Sequence, residues 1–127
     1  MKLKYTILYV DDVRASVAFY EAAFGLTATM VHEAGDFAMM STGDVALSFC
    51  SRALLRQLGK EPAPADPKRP VFEIAFETND VAGSLKKALA AGAQLVTAVR
   101  EEPWGQTISY VSDPNGFLIE ICSPVRG

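Results

Sequence analysis

Two stretches of the chain follow one plan. The first runs from Thr6 through Tyr9-Val10-Asp11-Asp12-Val13 to Phe24-Gly25, and the second from Glu73 through Asn79-Asp80-Val81 to Ala91-Gly92. Each reads as an apolar strand, an Asp-Val turn, an amphipathic helix and a glycine stop. Asp80-Val81 follows Asp12-Val13 by 68 residues, and Ser84 follows Ser16 by the same interval. A repeated supersecondary unit of this size constrains the fold more than any single motif, because each copy must bury its own apolar face. Two such units can enclose a small-molecule cleft between curved sheets.

At 127 residues the chain can bury a core without staples. Half of the residues are hydrophobic and 21% charged, an ordinary balance for a globular fold. The formal charge of -3 argues against nucleic acid or an anionic membrane as partner. No apolar run reaches the roughly 18 residues of a membrane span. Met1-Lys2-Leu3-Lys4-Tyr5 has no signal-peptide pattern, so a cytoplasmic location is expected. In that setting Cys50 and Cys122 are expected to be reduced thiols in strands.

In Leu3–Val10, Tyr5, Ile7 and Tyr9 share one strand face and Thr6, Leu8 and Val10 the other. Asp11 or Asp12 caps the following helix, which turns Val13, Val17, Phe19-Tyr20 and Phe24 inward and stops at Gly25. Strands are expected over Thr27–Val31, Phe37–Ser41 and Val45–Cys50. The second half repeats the plan: a strand over Val71–Glu77, a helix capped by Asp80 with Val81, Leu85, Ala88 and Leu89 inward, and strands over Gln94–Val99, Thr107–Ser112 and Phe117–Cys122. Asp113-Pro114-Asn115-Gly116 is a strong turn sequence. The fold class is therefore α+β, two tandem βαβββ modules with curved mixed sheets. Module one spans about 1–52 and module two about 71–123. Between them, about 53–70, lies a linker that opens with a short helical stretch and then carries Pro62, Pro64, Pro67 and Pro70. All of it forms one domain, 1–127.

Val10-Asp11-Asp12-Val13, Ser16-Val17-Ala18-Phe19-Tyr20 and Phe24-Gly25-Leu26 open a pattern that Tyr110-Val111-Ser112-Asp113-Pro114-Asn115-Gly116-Phe117-Leu118-Ile119-Glu120-Ile121 closes. The pattern resembles the vicinal-oxygen-chelate superfamily, which includes glyoxalase I, extradiol dioxygenases, and fosfomycin- and bleomycin-resistance proteins. The resemblance implies the paired-module fold and, for chains of this size, a homodimer in which modules of two chains face each other. It says little about the reaction, because one scaffold hosts many chemistries.

Metal-dependent members take ligands from the first and last strands of each module. By that resemblance the matching positions here are Tyr5, Ser48, Glu73 and Glu120. Only the two glutamates are ordinary ligands for a divalent cation at neutral pH. A tightly bound metal is therefore not expected; if one binds, Glu73 and Glu120 hold it, and the candidates are Ni, Zn, Mn or Mg. Dioxygenase chemistry needs two histidines and a carboxylate, and His32 is the sole histidine.

Glu73 and Glu120 each stand between apolar neighbours that point to the opposite strand face. Their face meets either solvent or a cavity. In a cavity the paired carboxylates would repel, and one could hold a proton for acid–base work or the pair could hold a cationic group. Trp104, in Pro103-Trp104-Gly105-Gln106, is either a loop anchor or an aromatic wall for a planar ligand. Phe49 points either to the ligand or to the core. Arg52 and Arg100 are either solvated or meet an anion. Two functions follow. One is a metal-independent small-molecule-binding protein of the bleomycin-resistance type, its inter-module cleft lined by Tyr5, Ser48, Trp104, Glu73 and Glu120. The other is a glyoxalase-like lyase or isomerase in which Glu73 and Glu120 act as catalytic residues, as metal ligands or as a base.

Overall fold

The computed structural model describes residues 1–125. The chain divides into two compact units, Met1–Pro64 and Ala65–Gly127. In the first, β1 (Tyr5–Val10) leads into α1 (Val13–Phe24), followed by β2 (Thr27–Val31), β3 (Phe37–Ser41), β4 (Ala46–Ser51) and the short α2 (Arg52–Gln57). The second holds β5 (Glu73–Glu77), α3 (Val81–Ala90), β6 (Gln94–Glu102), β7 (Gln106–Ser112) and β8 (Leu118–Cys122). Each unit has one four-stranded mixed sheet. The orders, β1-β4-β3-β2 and β5-β8-β7-β6, are equivalent. In both, the first strand pairs in parallel with the last, and the remaining neighbours are antiparallel. The expected α+β architecture of two βαβββ modules is what the chain forms.

The helix boundaries follow from caps. The Asp12 carboxylate accepts the Ala15 N–H at 3.0 Å, and Asp80 accepts that of Gly83 at 2.9 Å. Each satisfies a backbone donor that a helix start leaves over. Gly25, at φ 70°, closes α1 with its N–H on the Glu21 carbonyl, and the Leu26 N–H reaches back to Tyr20.

Each sheet buries one face under its own helix. In the first unit Leu8, Val10, Ala38, Met40, Leu47 and Phe49 lie beneath Val13, Val17, Tyr20 and Ala23, all buried. Tyr20 and Phe49 are fully buried, their ring centroids 5.1 Å apart. Phe49 is thus a core residue and not ligand-facing aromatic surface. In the second unit Val111, Ile119 and Ile121 pack with Val81 and Ala88. Leu89 does not turn inward as expected but is 37% exposed. Val81, Leu85 and Ala88 form a stripe of four- and three-residue steps, and Leu89 falls beyond its edge.

Several strand limits differ from expectation: β1 starts at Tyr5 and not at Leu3, β4 lies one residue later, β7 starts one residue earlier and β8 one residue later, and β5 and β6 differ for visible reasons. β5 starts at Glu73, not at Val71, because its partner β8 starts at Leu118, which is aligned with Glu73. Val71 is left exposed, and Phe72 stacks edge-on against Phe117, centroids 6.1 Å apart. β6 runs on to Glu102, because Arg100, Glu101 and Glu102 find partners in Ile108, Thr107 and Gln106 of β7.

The turn before β8 is built by Asp113. Its carboxylate accepts the N–H groups of Asn115 at 2.9 Å and Phe117 at 2.8 Å. Gly116 sits at φ 91°, and a Cβ there would come within 2.5 Å of the Ala65 carbonyl oxygen. Gly116→Ala is therefore expected to cost more than about 1 kcal/mol. Phe49→Ala should cost about 3–5 kcal/mol. Urea unfolding monitored by far-UV circular dichroism checks both.

Candidate functional site

With one helix per sheet, the second face of each sheet is free of its helix. In the first unit this open face carries Tyr5, Ile7 and Tyr9 from β1, at 49%, 43% and 37% exposure. Ala46, Ser48 and Cys50 of β4 and Phe37, Met39 and Ser41 of β3 lie on the same face by register. Ser48 is opposite Ile7 on one side and Met39 on the other. Its hydroxyl is fully buried and has no hydrogen-bond partner among the described residues. Tyr5 and Ser48 do not oppose each other directly, since Tyr5 is aligned with Ala46.

The second unit repeats this arrangement with different chemistry. Glu73 is aligned with Leu118, and Glu120 lies between Ala75 of β5 and Tyr110 of β7. Glu73 and Glu120 therefore hold the positions that Tyr5 and Ser48 hold in the first sheet. Tyr110 holds that of Met39. Side chains of Glu73, Ala75, Glu77, Glu120, Cys122 and Tyr110 share the open face, because strand side chains alternate with period two.

Glu73 and Glu120 converge on Tyr110. Tyr110 is the cross-strand neighbour of Glu120, and Glu73 stands on the same face two residues before Ala75. Partial burial first, then Glu120 and then Glu73, push the phenol well above the ordinary tyrosine value. Tyr110 is thus a proton donor at any physiological pH. The Cys122 thiol is raised by burial first, then by Glu120, Glu77 and Glu73. Cys50 is raised by burial and then by Asp36. Both cysteines are buried free thiols, and raised thiols are weak nucleophiles.

Trp104 lies at the tip of the β6–β7 hairpin and is 55% exposed. Its indole N–H donates to the Gln106 side-chain oxygen at 2.8 Å, and the Gln106 amide donates to the Ser123 carbonyl at 3.0 Å. Gln106 and Tyr110 share a strand face four residues apart, roughly 13 Å along β7. The hairpin thus holds Trp104 at the margin of the acidic patch, not inside it.

The arginines are engaged within the protein. Arg52 is buried, pairs with Asp11 at 2.6 Å and donates to the Tyr9 carbonyl at 3.2 Å. It ties the start of α2 to the end of β1. Arg100 pairs with Glu102. His32 pairs with Asp36 at 3.1 Å in the β2–β3 turn. Among the described residues, no three or more His, Cys, Asp or Glu side chains form a group able to hold a metal ion. No described helix is long and apolar enough to cross a membrane.

Sequence reasoning overlooked Tyr110. The clue was local: Tyr110 is a half-buried residue set between the buried Ser109 and Val111. Its partner became visible only with the β7–β8 register.

Two βαβββ units with equivalent open faces define a class of paired-module folds. A family model of the Glyoxalase/Bleomycin resistance protein/Dioxygenase superfamily matches residues 2–121, and the chain belongs to this superfamily. An uncharacterised protein of Mycobacterium tuberculosis H37Rv is 30% identical over 94% of this chain and 72% of its own length. CFP32 of the same species, provisionally named a glyoxylase, is 28% identical over 92% of this chain, which spans 42% of that longer protein. The fold is also that of a glyoxalase-related enzyme from Fulvimarina pelagi, with TM-score 0.83 and 23% identity over 97% of this chain and 88% of that one.

The tether on Trp104 is directly observable, since it is the sole tryptophan. Gln106→Leu removes its acceptor and is expected to lower Trp104 fluorescence anisotropy while leaving the melting temperature within about 2 °C.

Proposed function

We propose that this protein binds a small organic molecule at the open faces of its sheets, without a tightly bound metal. The observation that carries this reading is that Glu73, Glu120 and Tyr110 share one open sheet face, with Tyr110 cross-strand to Glu120. Two carboxylates in a partly desolvated patch favour an organic cation or a strong hydrogen-bond donor. Tyr5 supplies exposed aromatic area suited to ligand contact, and the buried Ser48 hydroxyl on the same face has no partner among the described residues. Trp104 is suited to cover a planar ligand from the margin.

The donor set does not fit a resident divalent cation. A catalytic metal commonly takes three or more protein ligands, and a phenol and an alcohol add little to two carboxylates. A homodimer in the cytoplasm is part of the proposal. The exposed row Tyr5, Ile7 and Tyr9 supports a covered face, and the free thiols support a reducing compartment.

One specific feature favours a second reading, a glyoxalase-like lyase: two neighbouring carboxylates in a relative of a provisionally named glyoxylase. Metal analysis and thermal melts with Ni²⁺, Zn²⁺, Mn²⁺ and Mg²⁺ separate the two. The binding reading expects no stoichiometric metal and no shift. It also expects planar organic cations to raise the melt and change Trp104 emission, with affinity falling about tenfold or more in Glu73→Gln. A metal-dependent rise abolished by Glu73→Gln, with turnover of a hemithioacetal, would replace it with the lyase.

A further inference from the structure

Between two acidic side chains of like charge, something must supply positive partial charge, or the pair is strained by repulsion. In the second sheet only Tyr110 is so placed by register. It is cross-strand to Glu120, whose other neighbour is Ala75, and Glu73 stands two residues before Ala75 on the same face. In the first sheet none of this is present, and the equivalent triple is Tyr5, Ser48 and Met39. Tyr110 is thus matched to the acidic sheet and not to the fold in general.

We propose that Tyr110 is the positioning residue of the acidic patch: its hydroxyl bridges Glu73 and Glu120 in the role a cation plays where carboxylates chelate. A single phenol hydrogen cannot neutralise two charges. It can share a strong, charge-assisted hydrogen bond between them and hold their remaining lone pairs toward the open face. The pair is thereby presented as a fixed acceptor surface instead of a loose cation trap. This assignment does not rest on the ligand-binding reading, because it concerns the protein alone.

The test is a set of double-mutant cycles on the full chain, first in the presence of a chelator. Tyr110→Phe keeps the ring and removes only the donor. It is expected to lower the melting temperature by about 3–6 °C. In a Glu73→Gln or Glu120→Gln background the same change should cost less than half as much, because the repulsion it exposes is gone. Mn²⁺ at millimolar concentration should then raise the melt of Tyr110→Phe by more than that of the wild type, since an added cation can take the vacated place. A ring with only a packing role would show no coupling to either glutamate and no gain in Mn²⁺ response. The proposal is overturned if Tyr110→Phe melts within about 1 °C of wild type. An equal drop in all three backgrounds overturns it as well. If Tyr110→Phe does not fold, the triple variant with both glutamines decides: recovery of the fold supports the bridge, and failure to recover refutes it. The chelated cycles fail or succeed regardless of whether any ligand or metal binds the wild type, so the two proposals can fail separately.

Discussion

Each sheet of this protein has one long helix laid across it, and that shortage organises the rest. A four-stranded sheet presents two faces, and α1 or α3 buries only one. The covered faces hold the large aliphatic and aromatic side chains that drive folding, among them Leu8, Phe49, Ile119 and Ile121. Strand alternation then places every second residue on the face turned away from the helix. Those positions carry different chemistry in the two units while the fold stays the same. The two units show it, with Tyr5, Ser48 and Met39 in one and Glu73, Glu120 and Tyr110 in the other.

Polar groups have been placed where backbone geometry would otherwise leave donors over. Asp12, Asp80 and Ser51 cap helices, and Asp113 gathers the N–H groups of its own turn. Arg52 is a longer-range version, since it satisfies a β1 carbonyl from the start of α2. Side chains of this kind define the frame, and Glu73, Glu120 and Tyr110 form a cluster that makes no cap or turn contact.

The architecture was legible because the repeat, the Asp caps and the period-two strands all agree. That Glu73 and Glu120 each lie on the strand face away from the core followed from alternation; that they share one sheet face needed the β5–β8 pairing. Strand limits were less legible, since a residue such as Val71 has strand propensity but no partner across from it. Partners distant in sequence were hidden for the same reason. Arg52 reads as a solvated charge until Asp11 is seen beside it. A tyrosine in an apolar strand reads as core, and Tyr110 acquires its meaning only from a register that pairs it with Glu120.

The parallel pairing of first and last strands has a temporal side. β1 is complete long before its partner exists, because Tyr5 waits for Ala46 and Glu73 waits for Leu118. At ordinary rates of synthesis, about 5–20 residues per second, that interval is on the order of 2–9 seconds per module. Throughout it the β1 row of Tyr5, Ile7 and Tyr9 has neither strand nor helix beside it. The ribosome therefore releases, twice in each chain, a strand without a neighbour, and the nascent protein depends on its surroundings to keep that strand from finding the wrong one.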